Sequence, residues 1–138
     1  MRLVLWVPKG SHTAGDMMVY LPEERVLVSG DIMVHNITPN FQDSFVRDWI
    51  DTLSQVVALK PVTIVPGHGA LMSSADAAAM QRRMTALYAG MEAGYKKGLT
   101  DSEIRKTLDL EEWSRMHFFN MMGININRTF LEVERENF

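Results

Sequence analysis

Cysteine is missing from all 138 residues, and that removes three chemistries at once: a disulfide framework, a thiolate zinc site and a thiol nucleophile. Any metal the chain holds must rest on imidazole and carboxylate. The same absence leaves the compartment open, with the cytoplasm as the default expectation. Positive charge is not in excess, since 14 Lys and Arg against 17 Asp and Glu give a net charge of −3. With no basic stretch either, nothing argues for a nucleic acid or a membrane surface as partner. Long hydrophobic runs are lacking. Met1–Pro8 is apolar but too short for a signal peptide or a transmembrane span. Internal repeats and low-complexity segments are absent too. What remains, 46 % apolar and 22 % charged residues, is the composition of a globular protein of one domain at most, residues 1–138.

Apolar patterning predicts an α/β chain. Leu3–Val7 has the β-branched, apolar character of a buried strand, and so do Met17–Leu21 and Val26–Ser29, with Pro22-Glu23-Glu24 as a hairpin connection between the last two. Ile32–Asn40 reads as irregular. From Asp43 to Leu59, Phe45, Trp49, Leu53, Val56 and Val57 recur at helical spacing, with Asp43 as the expected cap and Pro61 as the stop. Val62–Val65 then reads as a short strand and Pro66–Gly69 as a turn. Ser73 and Asp76 form a capping-box variant ahead of a long helix whose Ala77, Met80, Met84, Leu87 and Met91 share one side. Lys96-Lys97-Gly98 ends it. Thr100 and Glu103 cap a second helix through Leu108, and a third runs from about Ile124 to Glu136. The chain divides into ligand-bearing strands and a helix at 1–72 and a helical extension at 73–138.

Three short motifs stand out: Ser-His-Thr-Ala-Gly-Asp at Ser11–Asp16, Val-Ser-Gly-Asp at Val28–Asp31, and Val-Pro-Gly-His-Gly at Val65–Gly69. Each sets a His or an Asp on a glycine-containing turn beside a strand-like run. A strand end fixes a side chain in space, and glycine lets the backbone turn closely beneath whatever it holds. A lone loop histidine is ordinarily a surface residue, and Gly-Asp is a common turn. Three such motifs together are a different matter. His12, Asp31 and His68 are imidazole and carboxylate donors of the kind zinc accepts.

The order and spacing of these motifs resemble the second half of the metallo-β-lactamase superfamily. That resemblance implies half of an αββα sandwich, a small mixed sheet with helices and a helical C-terminal extension. It implies that His12 is a ligand of the first metal, Asp31 the carboxylate bridging both metals, and His68 a ligand of the second. Thr13 and Asp16 match the motif as residues that orient His12 without ligating. The complete family site holds two zinc ions, whose bridging water serves as a hydroxide nucleophile. The reaction implied is hydrolysis of an ester, thioester, lactone or amide, with a small molecule as substrate. Asp31 at the bridging position argues against the lactamase class with Cys there. His35, soon after Asp31, falls where relatives place pocket-lining residues, or is a plain loop histidine. His117 belongs to an apolar Met-rich tract, Met116–Met122, expected to be core or pocket wall.

The His-x-His-x-Asp-His motif of the family's first half does not occur in these 138 residues. His12 and His68 would fall on different ions, whereas a catalytic zinc takes three protein ligands. A lone copy is therefore expected to be inactive or incomplete. Half a sandwich also leaves an apolar sheet face bare. Association is expected, as a homo-oligomer or with a partner supplying the missing half. The alternative is a catalytically silent half-domain that serves as a self-associating or partner-binding module.

Overall fold

A computed structural model describes residues 1–138. Four strands, β1 (Val4–Trp6), β2 (Met18–Leu21), β3 (Val26–Val34) and β4 (Thr63–His68), lie in chain order across one sheet. The β1–β2 and β2–β3 pairs are antiparallel, and β3–β4 is parallel. A parallel pair needs a crossover, supplied by helix α1 (Val46–Leu59). The remaining chain is helical: α2 (Ser74–Lys96), α3 (Asp101–Arg105), α4 (Glu111–Ser114), a 3₁₀ turn at Phe119–Met121, and α5 (Met122–Glu136). No helix is long and apolar enough to cross a membrane.

One sheet face is packed. Met18, Leu27 and Ile64 are fully buried against Trp49, Leu53 and Val56 of α1 and Met80, Met84 and Met91 of α2, within a single cluster that also takes in Ile126 and Val133 of α5. The periodicity expected of α2 therefore marks its buried side, and that of α1 does so through Trp49, Leu53 and Val56, whereas Phe45 precedes the helix and is exposed and Val57 is half-buried. The opposite sheet face is bare. Strand register aligns Leu5, Val19, Val28 and Val65 in one row across all four strands, and Leu5 remains 64 % exposed.

Several boundaries differ from the sequence expectation, each for a reason of pairing or capping. Strand β3 runs past Ser29 to Val34, and β4 runs past Val65 to His68, because parallel pairing resumes after two register shifts at Gly30↔Pro66 and Val34↔His68. Ile32, Met33 and Val34, expected to be irregular, are buried strand. Helix α1 begins at Val46, and Asp43 falls in the turn before it. Its first N–H groups are met from across the chain, as Val46 N and Arg47 N each donate to the Glu132 carboxylate of α5 at 2.9 Å. The Ser73/Asp76 and Thr100/Glu103 capping boxes both form. Helix α3 stops at Arg105 rather than Leu108, and α4 follows it.

Candidate metal centre

Ser11, wholly buried, anchors the first motif: its Oγ donates to Thr52 Oγ1 at 3.0 Å, and its carbonyl accepts from Phe45 N. The His12 ring meets the Trp49 ring edge-on, centroids 5.5 Å apart. Trp49 is itself pinned, because its Nε1 donates to Ile32 O at 2.9 Å inside the core. The turn beyond His12 is closed by Asp16, whose carboxylate accepts from Thr13 N at 2.7 Å and from Thr13 Oγ1 at 2.8 Å. Thr13 and Asp16 thus shape the loop that presents His12.

Asp31 in β3 and His68 at the end of β4 are brought side by side by the parallel pairing. His68 Nε2 lies 3.2 Å from Asp31 Oδ1, with both side chains open to solvent on one side. This approach depends on Gly67. A β-carbon there would sit 2.1 Å from Asp31 Oδ1, 2.7 Å from Gly30 C and 2.8 Å from Asp31 N. Gly69 is constrained differently: its φ is +91°, and a β-carbon would meet His35 O at 2.5 Å. Both glycines of the Pro-Gly-His-Gly motif are therefore demanded by close approach, as its composition implied.

His12, Asp31 and His68 open on one cavity of about 390 Å³, together with Thr38 and Asn40. Its other wall is apolar: Val34, Ile37 and Pro39 from the end of β3 and the loop after it, and Phe118 and Met121 from the helical extension. Of these, only the Met116–Met122 tract had been read as core or pocket wall. The signal for the rest was weak, because loop residues carry no periodicity.

His35 sits elsewhere. Its Nδ1 is 3.1 Å from Ala70 O, its Nε2 is 3.7 Å from Asp76, and it is not among the residues lining the cavity. Hydrogen bonds from Ser73, chiefly its backbone N–H, hold the Asp76 carboxyl below the usual range, with a smaller contribution from His35. His35 thereby ties the turn after β4 to the start of α2. His117 contributes backbone: its N–H donates to Asn36 O at 3.1 Å and its carbonyl accepts from Thr38 N at 2.9 Å.

The donor types around the cavity suit zinc, but their number does not. No three His, Cys, Asp or Glu side chains converge into a group that could hold an ion, and catalytic zinc takes three protein ligands. By themselves, then, these residues do not fit a complete metal centre. The His68–Asp31 pair with His12 across the cavity has the composition of part of one.

Residues 1–68 match the model of the metallo-β-lactamase superfamily. Over 58 residues, 42 % of this chain, the sequence is 38 % identical to the β-lactamase-like protein 2 homolog of Caenorhabditis elegans. That match spans 19 % of the relative's own length. The fold resembles the metallo-β-lactamase from Pontibacter korlensis, with a TM-score of 0.54 at 23 % identity over 60 % of this chain and 41 % of that one. The DIM-1 metallo-β-lactamase gives 0.54 at 17 % identity, over 60 % and 41 %. The fold is therefore that of part of a metallo-β-lactamase, and the chain spans about two fifths of the solved chains' length. The likeness to the metallo-β-lactamase superfamily is thus carried by residues 1–68, just under half of the chain.

Proposed function

We propose that this chain supplies part of the zinc centre and one wall of the substrate cavity of a hydrolase acting on an ester, thioester, lactone or amide. The observation that carries the reading is the approach of His68 Nε2 to Asp31 Oδ1, 3.2 Å, with His12 opening on the same cavity. Their roles follow from their supports. His12 is held by Ser11 and Trp49 from behind, and Thr13 with Asp16 fixes its loop. Gly67 lets Asp31 reach His68. The remaining ligands come from polypeptide outside these 138 residues, and the bare row Leu5, Val19, Val28 and Val65 is the surface that polypeptide covers. Burying such a row favours association by about 25 cal/mol per Å² of apolar area.

Zinc titration followed on the imidazole signals of the four histidines tests the ligand set. His12 and His68 are expected to shift or broaden first, and Asp31→Ala to weaken the response at His68 while the fold survives. His35 and His117 serve as internal controls. If all four histidines respond alike, or none does, the assignment is wrong.

A second reading is favoured by one observation, the lack of any cluster of three metal ligands. On it, the chain is a catalytically silent half-domain that pairs with a second copy through the bare face. Native mass spectrometry separates the two: a metal-free homodimer favours the silent module, and a zinc-bearing species favours the hydrolase.

A further inference from the structure

Phe118 combines three properties that rarely coincide. Its φ is +60° and its ψ 31°, a left-handed backbone that a bulky residue adopts only when its surroundings impose it. Its side chain is 62 % exposed, so burial in the core does not account for the strain. Its ring lines the cavity that holds His12, Asp31 and His68. The backbone on both sides is fastened: the neighbouring His117 exchanges hydrogen bonds with Asn36 and Thr38, and Phe118 O accepts from Met121 N at 3.0 Å. Asn36, on the loop it is stitched to, is also left-handed, with φ +55°. Two left-handed residues thus flank one short parallel bridge, Ile37↔His117, between the end of β3 and the helical extension, and of the two the aromatic Phe118 is the strained one.

The cavity is chemically mixed. Imidazole and carboxylate from His12, Asp31 and His68 share its lining with the apolar Val34, Ile37, Pro39, Phe118 and Met121, and with Thr38 and Asn40 of the loop. No Lys or Arg lines it.

We propose that Phe118 is a specificity-determining residue, and that the cavity takes an acyl compound whose apolar acyl chain lies against the Phe118 ring. The inference rests on the hydrolase reading for the reaction, and adds to it the substrate class: acyl compounds with an apolar chain of several carbons, rather than short polar ones. The backbone strain is the cost of presenting an aromatic ring there, and glycine at the same position would relieve it.

The test uses the 138-residue chain and two neutral, unhydrolysed acyl probes, acetamide and hexanamide. Each is titrated while the backbone amide signals of Phe118 and Met121 are followed by NMR. Hexanamide, longer by four methylenes, is expected to bind at least about tenfold more tightly than acetamide. In Phe118→Gly that preference should fall to about threefold or less, with a melting temperature no lower than that of the parent, since the strained backbone is relaxed. Phe118→Leu should keep most of the preference. Equal affinity for the two probes in the parent chain overturns the proposal, and so does an undiminished preference in Phe118→Gly. Zinc titration of Phe118→Gly separates this inference from the metal assignment, because the variant should lose the chain-length preference while keeping the zinc response at His68. A silent zinc titration with the Phe118 effect present would remove the hydrolase reading and leave the apolar subsite.

Discussion

Gly67→Ala probes the one contact on which the proposed metal centre turns. The new methyl carbon would lie 2.1 Å from Asp31 Oδ1, 2.7 Å from Gly30 C and 2.8 Å from Asp31 N. The carboxylate can rotate away, but the backbone atoms cannot, and carbon atoms settle at about 3.5–4.0 Å. Strands β3 and β4 must therefore part by several tenths of an ångström at a pairing already interrupted between Val28 and Gly30 and again before Val34. Forcing a methyl into packed structure costs about 1–3 kcal/mol, and the contact with two strand backbone atoms puts this case toward the upper end. For a chain of this length that is a fall in melting temperature of about 5–10 °C. The rotated Asp31 also leaves His68 unpartnered, so the zinc response at His68 should disappear even in the cold, where the variant remains folded. Gly15→Ala is the matched control. No atom lies within 4 Å of its added carbon, and its effect should stay within about 0.5 kcal/mol. Urea unfolding and histidine NMR of the two variants decide the matter. A Gly67→Ala protein of parental stability, with His68 still answering zinc, would refute the account of how the site is assembled.

Other perturbations test the supports. Gly69→Ala adds a left-handed backbone to a 2.5 Å clash with His35 O, and should cost about 2–4 kcal/mol in urea unfolding, the sum of both penalties. Glu132→Ala removes the carboxylate that caps α1 through Val46 N and Arg47 N, and should lower stability by about 1–2 kcal/mol, with Glu132→Gln retaining part of it. Burial, aided by its hydrogen bond to Glu136, raises the Tyr88 hydroxyl pKa well above the usual value. The folded state thus favours the protonated phenol, and this stability is complete below about pH 10 and lost as pH climbs above it. Tyr88→Phe should accordingly show a shallower alkaline fall in melting temperature than the parent. Leu5→Lys with Val28→Lys charges the bare sheet row and should leave urea unfolding of the chain within about 1 kcal/mol, while abolishing any self-association seen by sedimentation.

How much of this was legible depends on whether the signal was local. Helix α2 announced itself fully, since both the stripe Ala77, Met80, Met84, Leu87, Met91 and the Ser73/Asp76 cap lie within one element. The start of α1 did not, because its cap comes from Glu132, 86 residues on from Val46. Asp43 had the right chemistry beside the helix and was passed over for a carboxylate that tertiary structure delivers to two N–H groups at once. Strands β3 and β4 outran their apolar patterns for a related reason. Pairing across Gly30↔Pro66 and Val34↔His68 extends each strand through residues that look like turn formers when read alone.

The candidate site follows the same division. His12, Asp31 and His68 could be singled out because each sits in a glycine-bearing motif, and Gly67 and Gly69 prove to be there for contacts those motifs require. The wall opposite was legible only in part: the Met116–Met122 tract reads as core or pocket wall, but nothing local sets it across from Asp31. Phe118 is separated from Asp31 by 87 positions of chain, and its left-handed backbone is imposed by hydrogen bonds of its neighbour His117 to Asn36 and Thr38. Asn125 does the same for the next stretch of loop, accepting from Phe41 N at 3.0 Å and donating to Pro39 O at 2.7 Å from a fully buried position on α5. The helical extension is thus bonded to the loop that lines the cavity at both ends, Asn36–Thr38 and Pro39–Phe41. A division of labour follows. Residues 1–68, which carry the family match, place the polar groups and, through Val34, Ile37 and Pro39, part of the apolar wall, and the extension beyond them adds Phe118 and Met121. Substitutions in the extension should therefore alter which molecules enter the cavity while leaving the His68–Asp31 contact unchanged, and substitutions at the glycine turns should do the reverse.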